Sequence, residues 1–523
     1  MSVVSAARYI GWLLHVNRRY GPDEALRSGR TFAKAFRGDQ QPPLAPSQVT
    51  RWENGQLIPD RDTIRRYEQL LGLASESLIT VAEAIVRSAG NGAVLRDRHR
   101  PDTDDSRERL YELLDRVTTS GPMSGADWST LTGLTTARPH LELYPPRLWR
   151  DIADRLLREL VAAAGSQWLQ RQEAMSRLLV HPSARPHAVA ACVAMASDPS
   201  SAAVIEPLPL LDITGDMVAN SYVLRQIEHP DNDRALQGAL RAAIRKVGRG
   251  RFKTAESRQL VASISRLLND PTVDSHLLPL VVEVARRLAQ QPQHADTFAR
   301  HLQVASVTRG LWMAQRLGEP EAAQVVSTRL VARAQSQLPD QTDCVDTVFS
   351  TLVEESLFLP DPDRSLVANM LIAATPYQVP FSSALLDEIK SHLAHGRGTC
   401  SLAAGLSALT QIGVDIHRPL INSILSGPGF DATTRYAAAW ATPFCAGRFT
   451  EHEWRQILAA QLTAWQQTPV AVGESILQAI TYGVGTDGHH GLLAGIRDHP
   501  STPAAARTLA SWLLRTASPV NAQ

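Results

Sequence analysis

The chain has 523 residues, 44% of them apolar and 20% charged, which places it among ordinary folded proteins and excludes disordered or collagen-like compositions. The net charge of +1 conceals an asymmetry: residues 1–100 carry fifteen Lys/Arg against ten Asp/Glu, while the rest carry thirty-eight against forty-two, so attraction to nucleic acid should come from the first hundred residues. Four cysteines (Cys192, Cys344, Cys400, Cys445) form no CxxC pair, and no window holds eighteen uninterrupted apolar residues, so a reducing cytoplasm is expected and membrane spanning is not.

At the start of the chain, Tyr9 to Val16 is apolar but lacks the basic flank and small-residue cleavage site of a signal peptide. The first informative element lies between Leu44 and Gly55. Pro46 can open a helix there and Gly55 can close it. On a wheel centred on Val49, Trp52 shares the inward face, Ser47, Arg51 and Asn54 point away, and Gln48 and Thr50 flank them. A two-turn helix with short polar side chains and an arginine outward suits the major groove of DNA, where Arg and Ser/Thr reach base edges.

These residues resemble the XRE/Cro-type helix-turn-helix family of bacterial and phage regulators, whose recognition helix typically ends in Glu-Asn-Gly as Glu53-Asn54-Gly55 does. Gly29 to Gly38 looks like the family's first motif helix, with Phe32, Ala33 and Phe36 inward, and Thr63 to Leu71 matches the helix that follows. The turn departs from the family: Asp39 to Pro43 lengthens it. The resemblance implies a DNA-binding domain over residues 1–89. In it Ser47 and Arg51 would read bases, Gln48 and Thr50 would touch bases or phosphates, and Asn54 with the amides near Arg30 would hold the backbone of double-stranded DNA. It further implies a homodimer across half-sites about one helical turn apart.

Residues 90–106 mix charge with Gly and Pro and lack apolar periodicity, as a linker does. From 107 to 523 apolar residues recur with helical spacing, as in Leu277, Val281, Val284 and Leu288, or Leu260, Ile264 and Leu268. Prolines and glycines from Pro182 to Pro500 divide this stretch into intervals of 15 to 26 residues, each long enough for one helix and its loop. The fold expected is all-α: an N-terminal helix-turn-helix domain followed by an α-solenoid-like helical repeat array. His181-Pro182, His229-Pro230 and His499-Pro500 are expected at helix starts. Arginine makes up forty-nine of the fifty-three basic residues, the lysines being Lys34, Lys246, Lys253 and Lys390, which reads as a coding bias.

Gly483 to Gly488 spells GxGxxG, but no βαβ unit surrounds it and a loop between repeat helices is expected. His489, His490 and His499 lack the spacing and the carboxylate or thiolate company of a metal site, and neither GxxxxGK nor GxSxG occurs. No catalytic residue, metal or cofactor is therefore assigned. Asn220, Asn369 and Asn422 stand in apolar helical settings where asparagine is disfavoured, which makes them candidates for a ligand groove. Such amides could clamp a bound peptide, as in the quorum-sensing regulators of Gram-positive bacteria whose layout this chain resembles; hydrogen bonds between array helices are the alternative. The reading is a sequence-specific transcriptional regulator whose array senses a peptide, small molecule or protein. A protein-binding scaffold with an accessory helix-turn-helix is the other class.

Overall fold

Helix starts are written into this chain as side-chain acceptors. Asp60, Ser124, Asp216, Asn232, Asp346, Asp431 and Thr450 each accept amides from the first turn of the helix that follows them. Ser124 with Asp127, and Thr450 with Glu453, close reciprocal capping boxes.

The computed structural model describes residues 3–37, 44–89, 95, 103–198, 201, 207–270, 273, 277–298, 320–339, 346–358, 362–394, 399–445 and 448–516. Among these the protein is all-helical, with no strand. No helix among them is long and apolar enough to cross a membrane. Two compact units are formed, one from Met1–Thr103, Ala164–Gln170 and Ala314–Leu514, the other from Asp104–Ala163, Arg171–Met313 and Arg515–Gln523. Of the stretch 90–106, residues 90–94 and 96–102 lie outside the described residues, and Asp104 already opens a helix.

The first unit opens with α1 (Val3–Arg19), α2 (Gly29–Arg37), α3 (Pro46–Glu53), α4 (Arg61–Leu70) and α5 (Ser77–Ala89). In its later part the helix Thr399–Ile412 stacks on Ala432–Ala441, and that one on Ala471–Thr486. The second unit shows the same rule: Met217–Glu228 pairs with Asp233–Gly248 and stacks on Thr254–Asn269, while Asp233–Gly248 stacks on Leu278–Ala289. Consecutive helices pair and alternate helices stack, which is how helical repeats bury a continuous core. Leu260, Ile264, Leu277, Val281, Val284 and Leu288 are all buried; Leu268 is only half-buried, and Leu267 takes the inner position instead.

Among the described residues, carbonyls at or near the end of a helix accept, in five places, from a side chain of the helix two further along. Arg66 Nε and Nη2 donate to Phe36 O and Ala35 O at 2.8 and 3.2 Å. Arg155 Nη1 donates to Arg116 O and Val117 O, both at 3.0 Å. Arg266 reaches Glu228 O at 2.9 Å, Arg287 reaches Ile244 O at 3.3 Å, and Gln461 Nε2 donates to Leu425 O. Phe36 O, Ala35 O, Glu228 O and Leu425 O lie in last turns, where carbonyls have no partner inside their own helix, while Arg116 O and Val117 O also accept the Gly121 and Ser120 amides at 2.8 and 3.4 Å. Arginine is more than a coding bias here, because a guanidinium fork reaches two carbonyls where an ammonium is a compact point charge.

Two expectations about turns are corrected. Pro182, Pro230 and Pro500 do not open helices; the helices begin later, at Arg185, Asp233 and Ala504. The preceding histidines organise these turns, His181 Nδ1 accepting the Ala184 amide at 3.3 Å while His229 and His499 end the helices before them. Gly483 and Gly485 lie inside the helix Ala471–Thr486 and not in a loop. They are small because a Cβ there would stand 2.6 Å from the Trp454 ring and 2.7 Å from Leu513 Cδ1. Only Asp487 and Gly488 form the turn.

Candidate nucleic-acid interface

Helix α3 is short and held at both ends. Pro46 occupies its first turn, and Thr50 Oγ1 donates back to Pro46 O at 3.2 Å. At its end the Gly55 amide donates to Trp52 O at 3.1 Å and the Gln56 amide to Arg51 O at 3.0 Å, the paired bonds of a Schellman closure. That closure requires the left-handed conformation Gly55 adopts, with φ +68°. Gly55 is also where α1 crosses: a Cβ on it would lie 2.8 Å from Ala7 O, and one on Gly11 would lie 2.6 Å from Glu53 O. Glu-Asn-Gly thus serves two needs, a tight helix stop and a close helix crossing.

The inward face of α3 is fixed by aromatic rings and one carboxylate. Phe36 packs on Trp52 with ring centroids 5.5 Å apart and on Tyr67 at 5.8 Å, and Phe32 meets Tyr67 at 4.6 Å, so α2, α3 and α4 are pinned together. Residues 38–43, which include the lengthened turn Asp39 to Pro43, lie outside the described residues. Beneath the rings, buried Glu53 accepts from Arg18 Nε at 2.6 Å and Nη2 at 2.7 Å, from Tyr67 Oη at 3.2 Å, and pairs with His15 Nδ1 at 3.0 Å. Burial alone would raise its carboxyl, but the hydrogen bonds of Arg18 and His15 outweigh burial and hold it below the ordinary carboxylate range. Burial and the Glu53 charge together push the Tyr67 phenol up.

The wheel position of each candidate contact can now be compared with its exposure. Val49 and Trp52 are buried; Ser47, Thr50, Arg51 and Asn54 are exposed, and Gln48 is half-buried. Arg30 is exposed at the start of α2, and so is Lys34 one turn on. Lys34 was not singled out from sequence, although its i, i+4 spacing from Arg30 is the signal that finds it. These residues form a polar, cationic surface on two adjoining helices.

No family model and no curated protein matches the chain. Among solved structures, the crystal structure of an engineered protein is similar at 14% identity over 80% of this chain and 96% of its own, with a TM-score of 0.19, too low to carry an argument.

The three asparagines are divided between the units, Asn220 in the second and Asn369 and Asn422 in the first. Asn220 is fully buried, and its amide is saturated: Nδ2 donates to Glu256 Oε2 at 2.9 Å and Arg251 O at 3.1 Å, and Oδ1 accepts from Lys246 Nζ at 2.6 Å. Asn369 is buried, with Oδ1 accepting from Ser356 Oγ. Asn422 is half-buried, its own carbonyl accepting from Ser426 Oγ at 2.6 Å. Asn220 is therefore tied into hydrogen bonds between helices in the interior of the second unit. Among the described residues no group of three or more His, Cys, Asp or Glu side chains could hold a metal.

Proposed function

We propose that the protein is a sequence-specific DNA-binding transcriptional regulator of the XRE helix-turn-helix type, working in the cytoplasm as a homodimer. The observation that supports this best is the division of α3 into two faces: Val49 and Trp52 are locked inward while Ser47, Thr50, Arg51 and Asn54 stand in solvent. In this reading α3 enters the major groove of double-stranded DNA. Arg51 and Ser47 meet base edges, Gln48 and Thr50 meet bases or phosphates, and Asn54, Arg30 and Lys34 meet the backbone. The helical array senses an effector, whether a peptide, a small molecule or a protein. The experiment is a footprint of the purified protein on genomic fragments at several salt concentrations, followed by Arg51→Ala. The variant should lose roughly 1–3 kcal/mol on its operator and relax the preference at one base pair. Equal loss on specific and random duplex makes Arg51 a phosphate contact, and no salt-dependent footprint in the parent protein leaves the scaffold reading.

A further inference from the structure

Helix α1 is used on two sides. One side, with Gly11, His15 and Arg18 at i, i+4, i+7 spacing, closes on the end of α3 through Gly55 and Glu53. The other side meets the helix Thr347–Leu357 and the turn that follows Pro362–Ala373 in the same unit, more than three hundred residues away in sequence. Trp12 stacks over Tyr377 and Phe349, with centroids 5.9 and 6.5 Å apart, and its indole N–H donates to Asp346 Oδ2 at 2.7 Å. The other oxygen of Asp346 caps Thr347–Leu357, accepting the Val348 and Phe349 amides at 3.0 and 2.9 Å. Tyr9 Oη donates to buried Glu355 at 3.0 Å, Arg8 to Thr347 Oγ1 at 3.0 Å, and Asn17 Nδ2 to Ala374 O at 2.9 Å. Trp12, Tyr9, Asn17, Phe349, Tyr377 and Glu355 are all buried.

We infer that Asp346, Phe349, Glu355 and Tyr377 are positioning residues for the recognition helix, acting through α1. Their role as DNA positioners rests on the proposed function; their mechanical link to α3 does not. The physical reason is that α1 has no slack. A glycine-to-backbone crossing at Gly11 and Gly55 transmits a shift of α1 directly to the last turn of α3, because packed interfaces jump between arrangements and do not deform smoothly. Asp346 is the joint: a single carboxylate ties the start of an array helix to α1, so a change in that helix start pulls on the indole. The array thereby reaches α3 through α1.

The test is amide hydrogen exchange on the full-length chain carrying Trp12→Phe, which keeps the ring stacking and deletes the indole donor, with Tyr9→Phe as a milder second variant. Loss of one buried hydrogen bond should speed exchange of the Asn54, Gly55 and Gln56 amides by about 5- to 10-fold. Amides of the helices Glu451–Gln467 and Ala471–Thr486 should keep the parent rates. Acceleration confined to α1 and residues 346–377 overturns the inference, and so does uniform acceleration across both control helices, which would make the contact one of general stability. Should Trp12→Phe fail to fold, Tyr9→Phe decides by the same comparison. The measurement needs no DNA. A parent protein that binds no duplex thus defeats the functional reading while the exchange pattern still decides this one.

Discussion

Two buried cations, Arg18 in the first unit and Lys246 in the second, meet the cost of burial in opposite ways. Arg18 faces a carboxylate in two hydrogen bonds to Glu53, with the Arg27 carbonyl taking a third donor. Lys246 is fully buried, and its ammonium donates to two neutral oxygens, Thr214 O and Asn220 Oδ1, each at 2.6 Å. Burial pulls the Lys246 ammonium down to about 8, against the partial support of Asp212 and Glu256. The guanidinium cannot shed its proton in a protein, so Arg18 is a permanent strut; the amine can, so Lys246 is a conditional one. In a chain whose basic residues are almost all arginine, this lysine is where alkaline pH can act.

The comparison can be broken most forcefully at Glu53. Glu53→Ala leaves Arg18 buried without its counter-charge and should cost ~3–5 kcal/mol in urea unfolding followed by tryptophan fluorescence. A cost below ~1 kcal/mol would show the pair to be dispensable and end the contrast. The parent's Glu53 contribution should be present at neutral pH and fade on acidification, since the folded carboxyl sits below its unfolded value.

The Lys246 effect should have the opposite place on the pH axis. Unfolded, the amine keeps its proton to about 10.5, whereas folded it releases it from about 8. Between those values the unfolded chain binds more protons, so raising the pH through this window should favour the folded state, by ~3 kcal/mol across it. Denaturation curves at pH 7.5, 9 and 10, in parent and Lys246→Met, isolate this slope; a slope that survives in Lys246→Met belongs to another group.

Asn220 sharpens the contrast with a smaller effect. Asn220→Ala removes one acceptor and two donors from the same interior and should cost ~1–3 kcal/mol. Asn220→Asp should do something different: its carboxylate gives Lys246 a counter-charge and should flatten the alkaline slope, while the oxygen it sets against Glu256 Oε2, which Asn220 Nδ2 reaches at 2.9 Å, costs stability at neutral pH. If both variants behave alike, charge at this position is irrelevant and the two sites do not differ in how they hold a buried cation.

Some of this was legible in the sequence and some was not. Helix α3 was, because Val49 and Trp52 repeat at i, i+3 between a helix-opening Pro46 and a helix-closing Gly55, all local signals. The all-helical array was legible for the same reason, in stripes such as Leu277 to Leu288. The hydrogen bonds of Asn220 were not legible because its partner Lys246 lies twenty-six positions later and neither residue announces the other. Gly483 and Gly485 were misread because a glycine pair signals a loop locally, whereas the deciding neighbours, Trp454 and Leu513, come from other helices. The second face of α1 was invisible for the extreme version of that reason: Trp12 finds Asp346 across 334 residues.

The arginine and glutamine clamps on helix ends carry a consequence for how such an array can diverge. Each joint pairs a chosen side chain with a backbone carbonyl, and every amino acid offers the same carbonyl. Only one of the two partners is thus tied to its identity by the joint; the joint itself places no demand on the side chain of the residue whose oxygen is used, such as Glu228 or Ile244. A joint between two side chains would instead demand paired changes. Substitutions can therefore accumulate on the accepting helices repeat by repeat while the stacking order persists, so an array jointed in this way can keep its architecture without displaying a shared repeat signature.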